Sequence, residues 1–300
     1  MLKELISVSL NKKCDNEEMR FKKPGNTMKK LLLLKFVALV FIQSCAHYAQ
    51  EHKNFLASSK IPLKTSNIKA KIIIDPGHGG KDSGAVGRQG LKEKDLTLDI
   101  GKRAYHLFKK VMPNAEVILT RKADRFVSLE ERVSIANKNR GDVFISLHIN
   151  SSENNGAKGF EVYSLDVASD RHSERLAARE NKSFAGENKG VNFILADLRA
   201  YSNRNDSNYL AKVIAGGLNS QFSGRLVPDL LNDRGYNQAI FQVLFVEMPA
   251  VLTELFFISN PKEERLLKSE VGRELCARGI VLGVAKFLEN SPSRIADAKP

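Results

Sequence analysis

From Lys69 onwards, short apolar runs alternate with longer segments that have helical periodicity. Residues 71–75 form a β-branched run that stops at Pro76-Gly77, and residues 95–111 follow with apolar side chains at helical spacing. Strands that alternate with helices predict an α/β domain, with a mostly parallel twisted sheet and helices on both faces.

The later segments continue this pattern with one interruption. Further strands are predicted at 115–120, 142–148, 159–164, 239–246 and 250–255, and further helices at 128–139, 169–183, 205–222, from Asn260, and at 270–289. The strands at 239–246 and 250–255 lie too close for a helical crossover, so at least one antiparallel pairing is expected. Residues 170–222 break the alternation and are interpreted as a helical insertion.

The region before the domain has the pattern of an export signal. Met28-Lys29-Lys30 is basic, and residues 31–42 are apolar except for Lys35. A membrane-spanning helix needs about 20 apolar residues, so an export signal fits better than a permanent anchor. The run ends in Ser44-Cys45, which resembles a bacterial lipoprotein signal with Cys45 as the lipidated residue, although Gln43 is unusual there. Ordinary cleavage at 46–50 is the alternative.

These features divide the chain into five parts. Residues 1–27 are either an extended leader or a non-native stretch before a true start at Met28. Residues 28–45 form the signal, 46–68 a polar tether, 69–290 the folded domain, and 291–300 a tail.

The chain is basic, with a formal net charge of +13. A basic surface attracts anions, which include nucleic acid, an anionic cell wall and a lipid surface. The basic residues are scattered and form no nucleic-acid motif, so we predict no nucleic-acid partner. The three cysteines share no CxxC spacing, which argues against a zinc ribbon.

Two histidines and two glutamates carry the candidate chemistry. His78 follows the first strand and His148 ends a later one, so parallel strands would bring both to the same edge of the sheet. With Glu93, in the loop system of His78, they form a set typical of catalytic zinc, although each alone also fits an ordinary surface or turn residue. Glu254 lies within an apolar run, where burial would raise its pKa and suit proton transfer; a buried ion pair is the alternative.

Several separated segments carry a family resemblance: residues 74–85, 93–95, 119–121, 144–150 and 252–261. In this order they resemble the zinc-dependent N-acetylmuramoyl-L-alanine amidases, from Ile72 to Leu288. The resemblance implies zinc ligands at His78, Glu93 and His148 and a catalytic glutamate at Glu254.

The same resemblance implies the substrate and the cellular setting. The expected reaction is hydrolysis of the amide between N-acetylmuramic acid and L-alanine in peptidoglycan, for wall remodelling or daughter-cell separation. The expected location is the periplasm or cell envelope, with a membrane contact through a lipid on Cys45. Phe256 departs from the family pattern, which often has Gly there.

The insertion resembles a regulatory region of this family. In cell-division members, a helix here covers the zinc site until an activator protein moves it, and residues 193–198 and 207–218 are similar to that region. Our hypothesis is that residues 180–205 gate the cleft and that Glu180 or Glu187 reaches the metal. The alternative is a wall of the substrate cleft.

Three other functions stay open at this point. A zinc hydrolase acting on another amide, such as a deacetylase, would share the metal site. A non-catalytic peptidoglycan-binding lipoprotein would need a broken site, whereas all four residues are present. An added serine peptidase activity has little support, because Ser291-Pro292-Ser293-Arg294 ends in Arg and Ser59-Lys60 lies in the tether.

Overall fold

Six strands form one sheet in the computed structural model, which describes residues 68–183, 202–223 and 233–290. The sheet order is β2-β1-β3-β6-β4-β5. The strands are β1 (Lys71–Pro76), β2 (Glu116–Leu119), β3 (Val143–Asn150), β4 (Phe160–Leu165), β5 (Asp233–Ala239) and β6 (Ala250–Phe257). Every neighbouring pair is parallel except β4 and β6. The predicted α/β fold with a mostly parallel sheet is therefore confirmed.

Helices cover both faces of this sheet. They are α1 (Glu93–Val111), α2 (Leu129–Lys138), α3 (Arg171–Glu180), α4 (Arg204–Phe222), α5 (Pro261–Lys268) and α6 (Glu270–Glu289), with 3-10 turns at Asn181–Ser183 and Gln242–Leu244. Helix α6 packs between α1 and α4 on one face. On the other face, Ala136 of α2 and Leu176 of α3 join a core that includes Phe144 and Leu252.

Two helices begin where capping residues predict. The Ser128 hydroxyl accepts a hydrogen bond from the Glu131 amide, and α2 starts at the next residue. The Asn260 side chain accepts one from the Lys262 amide at 2.9 Å, with Pro261 in the first turn of α5.

The predicted strand at 239–246 is wrong. Its apolar residues, Phe241, Val243 and Leu244, are buried in and beside a 3-10 turn. The strand that joins the sheet is the preceding polar segment Asp233–Ala239, which lies at the edge beside β4. A largely polar edge strand gives no apolar signal, whereas the buried turn after it does. The expected antiparallel pairing exists, but it joins β4 to β6.

A β-bulge follows Glu254 in β6. His148 pairs with Glu254 but Asn150 pairs with Phe257, so β6 carries one extra residue. Phe256 takes the left-handed conformation at φ 70°, and its ring lies 4.8 Å from that of Phe222 on α4. Because left-handed backbone suits Gly best, this conformation is a physical reason for the Gly that the resemblance implies at this position.

The carboxylate of Glu263 fixes the end of this bulge. Its two oxygens accept hydrogen bonds from the amides of Phe257 and Gly159, both at 2.7 Å. Glu263 is fully buried, and this burial raises its pKa to about 7. The cap of α5 is thereby tied to the strand that carries Glu254.

The second half of the predicted insertion is part of the helical layer. Helix α4 packs closely on α6, and Gly217 faces Gly279 so tightly that a Cβ on Gly217 would lie 2.2 Å from the Gly279 carbonyl oxygen. The contact is therefore backbone against backbone, and side chains do not separate the two helices there.

Several sequence predictions fall outside the described residues. They concern the leader and signal with Cys45, the tether, the tail, and Glu187 within residues 184–201. In the part of the chain that the structure describes, none of the helices combines the length and apolarity needed to cross a bilayer.

Two adjacent glycines test the α4–α6 contact. Gly217→Ala should lower the free energy of unfolding by about 1–3 kcal/mol, because the new methyl group overlaps the α6 backbone. Gly216→Ala is the matched control: it meets nothing within 4 Å, so higher helix propensity should stabilise it by up to about 1 kcal/mol. Urea unfolding measures both, and equal effects would contradict the packing described.

Candidate metal site

The loop after β1 holds His78 in a defined conformation. His78 has φ 59°, a left-handed backbone that is uncommon for a residue other than Gly. Small neighbours leave room for its ring: a Cβ on Gly84 would lie 2.6 Å from His78 Cδ2 and 2.5 Å from Glu93 Oε2. The glycines of this loop therefore let two ligand candidates approach each other.

Two buried arginines bind the carbonyl groups of this loop. Arg121 donates to the carbonyls of Pro76 at 2.8 Å and Gly77 at 2.8 Å. Arg132 donates to the carbonyls of Pro76 at 2.7 Å and His78 at 2.7 Å, and pairs with buried Asp75 at 2.6 Å. These bonds satisfy carbonyls that the turn removes from the sheet ladder.

Glu93 joins the two histidines. Its Oε1 lies 3.1 Å from His78 Nε2 and 3.2 Å from His148 Nδ1, and the two imidazole rings are 4.8 Å apart. Glu93 is the first residue of α1, so it begins the helix and does not precede it as the sequence indicated. His148 lies within β3, which continues to Asn150.

Further hydrogen bonds orient these groups. The Nδ1 atom of His78 lies 2.9 Å from Asp82 Oδ2, which turns Nε2 towards Glu93. The Glu93 carboxylate also accepts from the amides of Ala85 at 2.8 Å and Ile149 at 2.9 Å. The side chains are therefore held in place before any ligand binds.

The carboxylate of Glu180, at the end of α3, is the fourth candidate ligand in this group. Its Oε2 lies 3.4 Å from His78 Nε2 and 3.2 Å from His148 Nδ1. Ligand atoms around tetrahedral Zn²⁺ at 2.0–2.1 Å are about 3.3 Å apart, which matches these distances and those to Glu93. His78 Nε2 is buried, and among the described residues it makes no hydrogen bond. The donor set and its spacing thus fit a zinc ion.

The charges favour a cation at this point. Although burial opposes its charged form, the Glu93 carboxylate and the hydrogen bond to Asp82 raise the pKa of His78 to about 12. Burial likewise opposes ionisation of Glu93, but the charge of His78 lowers its pKa to about 2. The carboxylates of Glu93 and Glu180 therefore face the two imidazoles and the guanidinium group of Arg179, whose Nε lies 2.8 Å from Glu180.

Glu254 lies beside this group without a hydrogen bond. It pairs with His148 in the β3–β6 register and is fully buried. Within the described ranges neither carboxylate oxygen has a donor, and Arg179 Nη2 is 4.0 Å away. Burial, and next the charge of Glu180, raise the pKa of Glu254 well above its usual range.

The structure brings together most of the residues singled out in the sequence. His78, Glu93, His148, Glu180 and Glu254 converge at the carboxyl ends of β1, β3 and β6. No role was assigned from the sequence to Asp82, Arg121, Arg132 and Arg179, although Asp82 and Arg121 lie in segments that carry the family resemblance. Arg121 had a usable signal, because it follows the end of β2 just as His78 follows β1.

The chain resembles known proteins over this same region. A family model described as N-acetylmuramoyl-L-alanine amidase (Amidase_3) matches residues 72–286. AmiC of Neisseria meningitidis is 34% identical over 73% of this chain and 53% of its own length, so the chain spans about half of that relative. AmiA of Escherichia coli is 33% identical over 80% of this chain and 84% of its own.

Solved structures give the same result. AmiC2 of Nostoc punctiforme has a TM-score of 0.55 with 31% identity, covering 73% of this chain and 97% of that one. An amidase from Clostridium difficile 630 has a TM-score of 0.57 with 28% identity, covering 74% and 98%. These matches show that the chain belongs to the N-acetylmuramoyl-L-alanine amidase family.

Proposed function

We propose that this amidase is zinc-dependent and hydrolyses the amide bond between N-acetylmuramic acid and L-alanine in peptidoglycan. His78, Glu93 and His148 would hold the metal. The observation that carries the proposal is the set of four 3.1–3.4 Å separations that join the two imidazoles to the carboxylates of Glu93 and Glu180. When bound, zinc polarises a carbonyl and lowers the pKa of a water molecule towards about 7.

Glu254 is the proton carrier in this mechanism. Its burial raises the pKa of the carboxyl group, so it accepts a proton from the attacking water and passes it to the alanine nitrogen. Asp82 keeps His78 in the orientation that presents Nε2 to the metal. The developing charge on the carbonyl oxygen would be stabilised by a zinc ion held by His78, Glu93 and His148.

The alternatives make different products. An amidase releases a free amino terminus on L-alanine, whereas a deacetylase releases acetate, so mass spectrometry of digested muropeptides separates them. A purely wall-binding protein would release neither. Export and lipidation at Cys45 stay predictions.

We further propose that Glu180 restrains the enzyme. A catalytic zinc needs an open coordination position for water or substrate, and the Glu180 carboxylate lies where the fourth ligand would bind. Arg179 holds Glu180 by a 2.8 Å hydrogen bond and faces Glu254. An activator protein acting on the segment from residue 180 to 205 would free the position.

Asp82→Asn should weaken zinc binding by roughly 10–100-fold, since groups that orient a metal-binding histidine typically contribute that much. Competition with a chelating dye measures the affinity. Asp95→Asn, an exposed change at the start of α1, is the control and should leave the affinity unchanged. An unaltered affinity in Asp82→Asn would remove the orienting role.

Glu254→Gln should keep zinc but lose roughly 10²–10⁴-fold in turnover on purified peptidoglycan, the range for a general acid–base group. Elemental analysis gives the zinc content, and release of stem peptides gives the rate. Glu130→Gln on α2 serves as the control for loss of a carboxylate. Near-normal turnover in Glu254→Gln would refute the assigned role.

Glu180→Ala should raise the basal rate roughly 5–150-fold, the range for a coupling of about 1–3 kcal/mol. The rate on purified peptidoglycan is compared with that of Glu174→Ala, which removes an exposed carboxylate from the same helix. No gain over this control would exclude restraint by Glu180 and favour a substrate wall.

A further inference from the structure

A groove runs away from the candidate metal site along α3. The site cavity, of about 570 Å³, adjoins a second of about 680 Å³, since Ser151, Arg179 and Lys182 line both. A third, of about 430 Å³, continues past His172 towards Arg234. The segment 151–158 and helix α3 therefore line three adjoining cavities, which form the groove.

The middle of this groove is positively charged. Arg175, Arg179 and Lys182 line it, together with His172, against one acidic side chain, Glu153. Arg179 already binds Glu180 and the Ser151 carbonyl. Arg175 and Lys182 make no ion pair or hydrogen bond within the described residues, so their charges are available to an anionic ligand.

The position of Arg175 is fixed by the rest of its helix. On the inner side of α3, Leu176 and Ala177 are buried in the core. The Asp170 side chain caps the helix by accepting from the Ser173 amide at 2.8 Å. Arg175 is therefore held on a helix whose inner side and N-terminus are both fixed.

We propose that Arg175, together with Lys182 in the same cavity lining, binds a carboxylate of the peptidoglycan stem peptide on the leaving side of the scissile amide. This inference rests on the proposed function. The stem peptide starts at the leaving nitrogen and carries free carboxylates further along its chain. A guanidinium group binds a carboxylate with two parallel hydrogen bonds, which gives both affinity and orientation.

Two soluble substrates test the assignment. One is a disaccharide–tripeptide with free carboxylates, and the other is the same molecule with these carboxylates converted to amides. Arg175→Gln should lower kcat/KM on the acidic substrate roughly tenfold, mainly through KM, as expected for loss of a charged hydrogen bond. It should leave the amidated substrate unaffected, and adding Lys182→Gln should lower the acidic value further.

Arg171→Gln, one turn earlier on α3 and outside the groove lining, is the matched control and should change neither value. The series is measured in the wild type and in the Glu180→Ala background. An unchanged preference for the acidic substrate in Arg175→Gln overturns the assignment, as does an equal loss on both substrates. Absence of cleavage by the parent proteins instead overturns the proposed function, and the assignment with it.

Discussion

Two buried guanidinium groups hold the loop on which the site depends. Arg121 and Arg132 donate hydrogen bonds to the carbonyls of residues 76–78, where the chain leaves the sheet and turns left-handed at His78. Without these donors the Pro76 carbonyl would lose both of its side-chain partners, whereas the Gly77 carbonyl would keep the Thr97 hydroxyl at 2.9 Å. Arg132 also neutralises buried Asp75, and removing one partner of such a pair typically costs about 3–5 kcal/mol. Fold stability and ligand geometry therefore have a shared origin.

The site contains more carboxylates than imidazoles, because three glutamates surround two histidines. Glu93, Glu180 and Glu254 all approach His148 from different elements: the start of α1, the end of α3 and the neighbouring strand β6. Such a group is electrostatically unfavourable unless positive charge is supplied. Proton uptake by the histidines supplies part of it, and a divalent cation would supply more. This requirement connects the fold to metal chemistry.

Part of this arrangement could be predicted from sequence because it depends on strand direction alone. His78 and His148 follow from two parallel strands that end at one edge, and Glu93 follows from a short loop. The neighbour relation between His148 and Glu254 could not, because no local pattern specifies that β6 lies beside β3. The approach of Glu180 depends on how α3 packs, which again is a tertiary property.

The extra residue after Glu254 has a consequence for the length of this part of the chain. The bulge interrupts the alternation of side chains between the two faces of the sheet. As a result, Phe256 packs against Phe222 of α4, whereas Phe257 lies under Arg234 in the lining of the groove. Deleting a single residue here would exchange the faces that these two rings occupy. It would also shift Asn260 away from its capping position at the start of α5. The fold therefore constrains the number of residues from Glu254 to Asn260 more strictly than the identity of these residues.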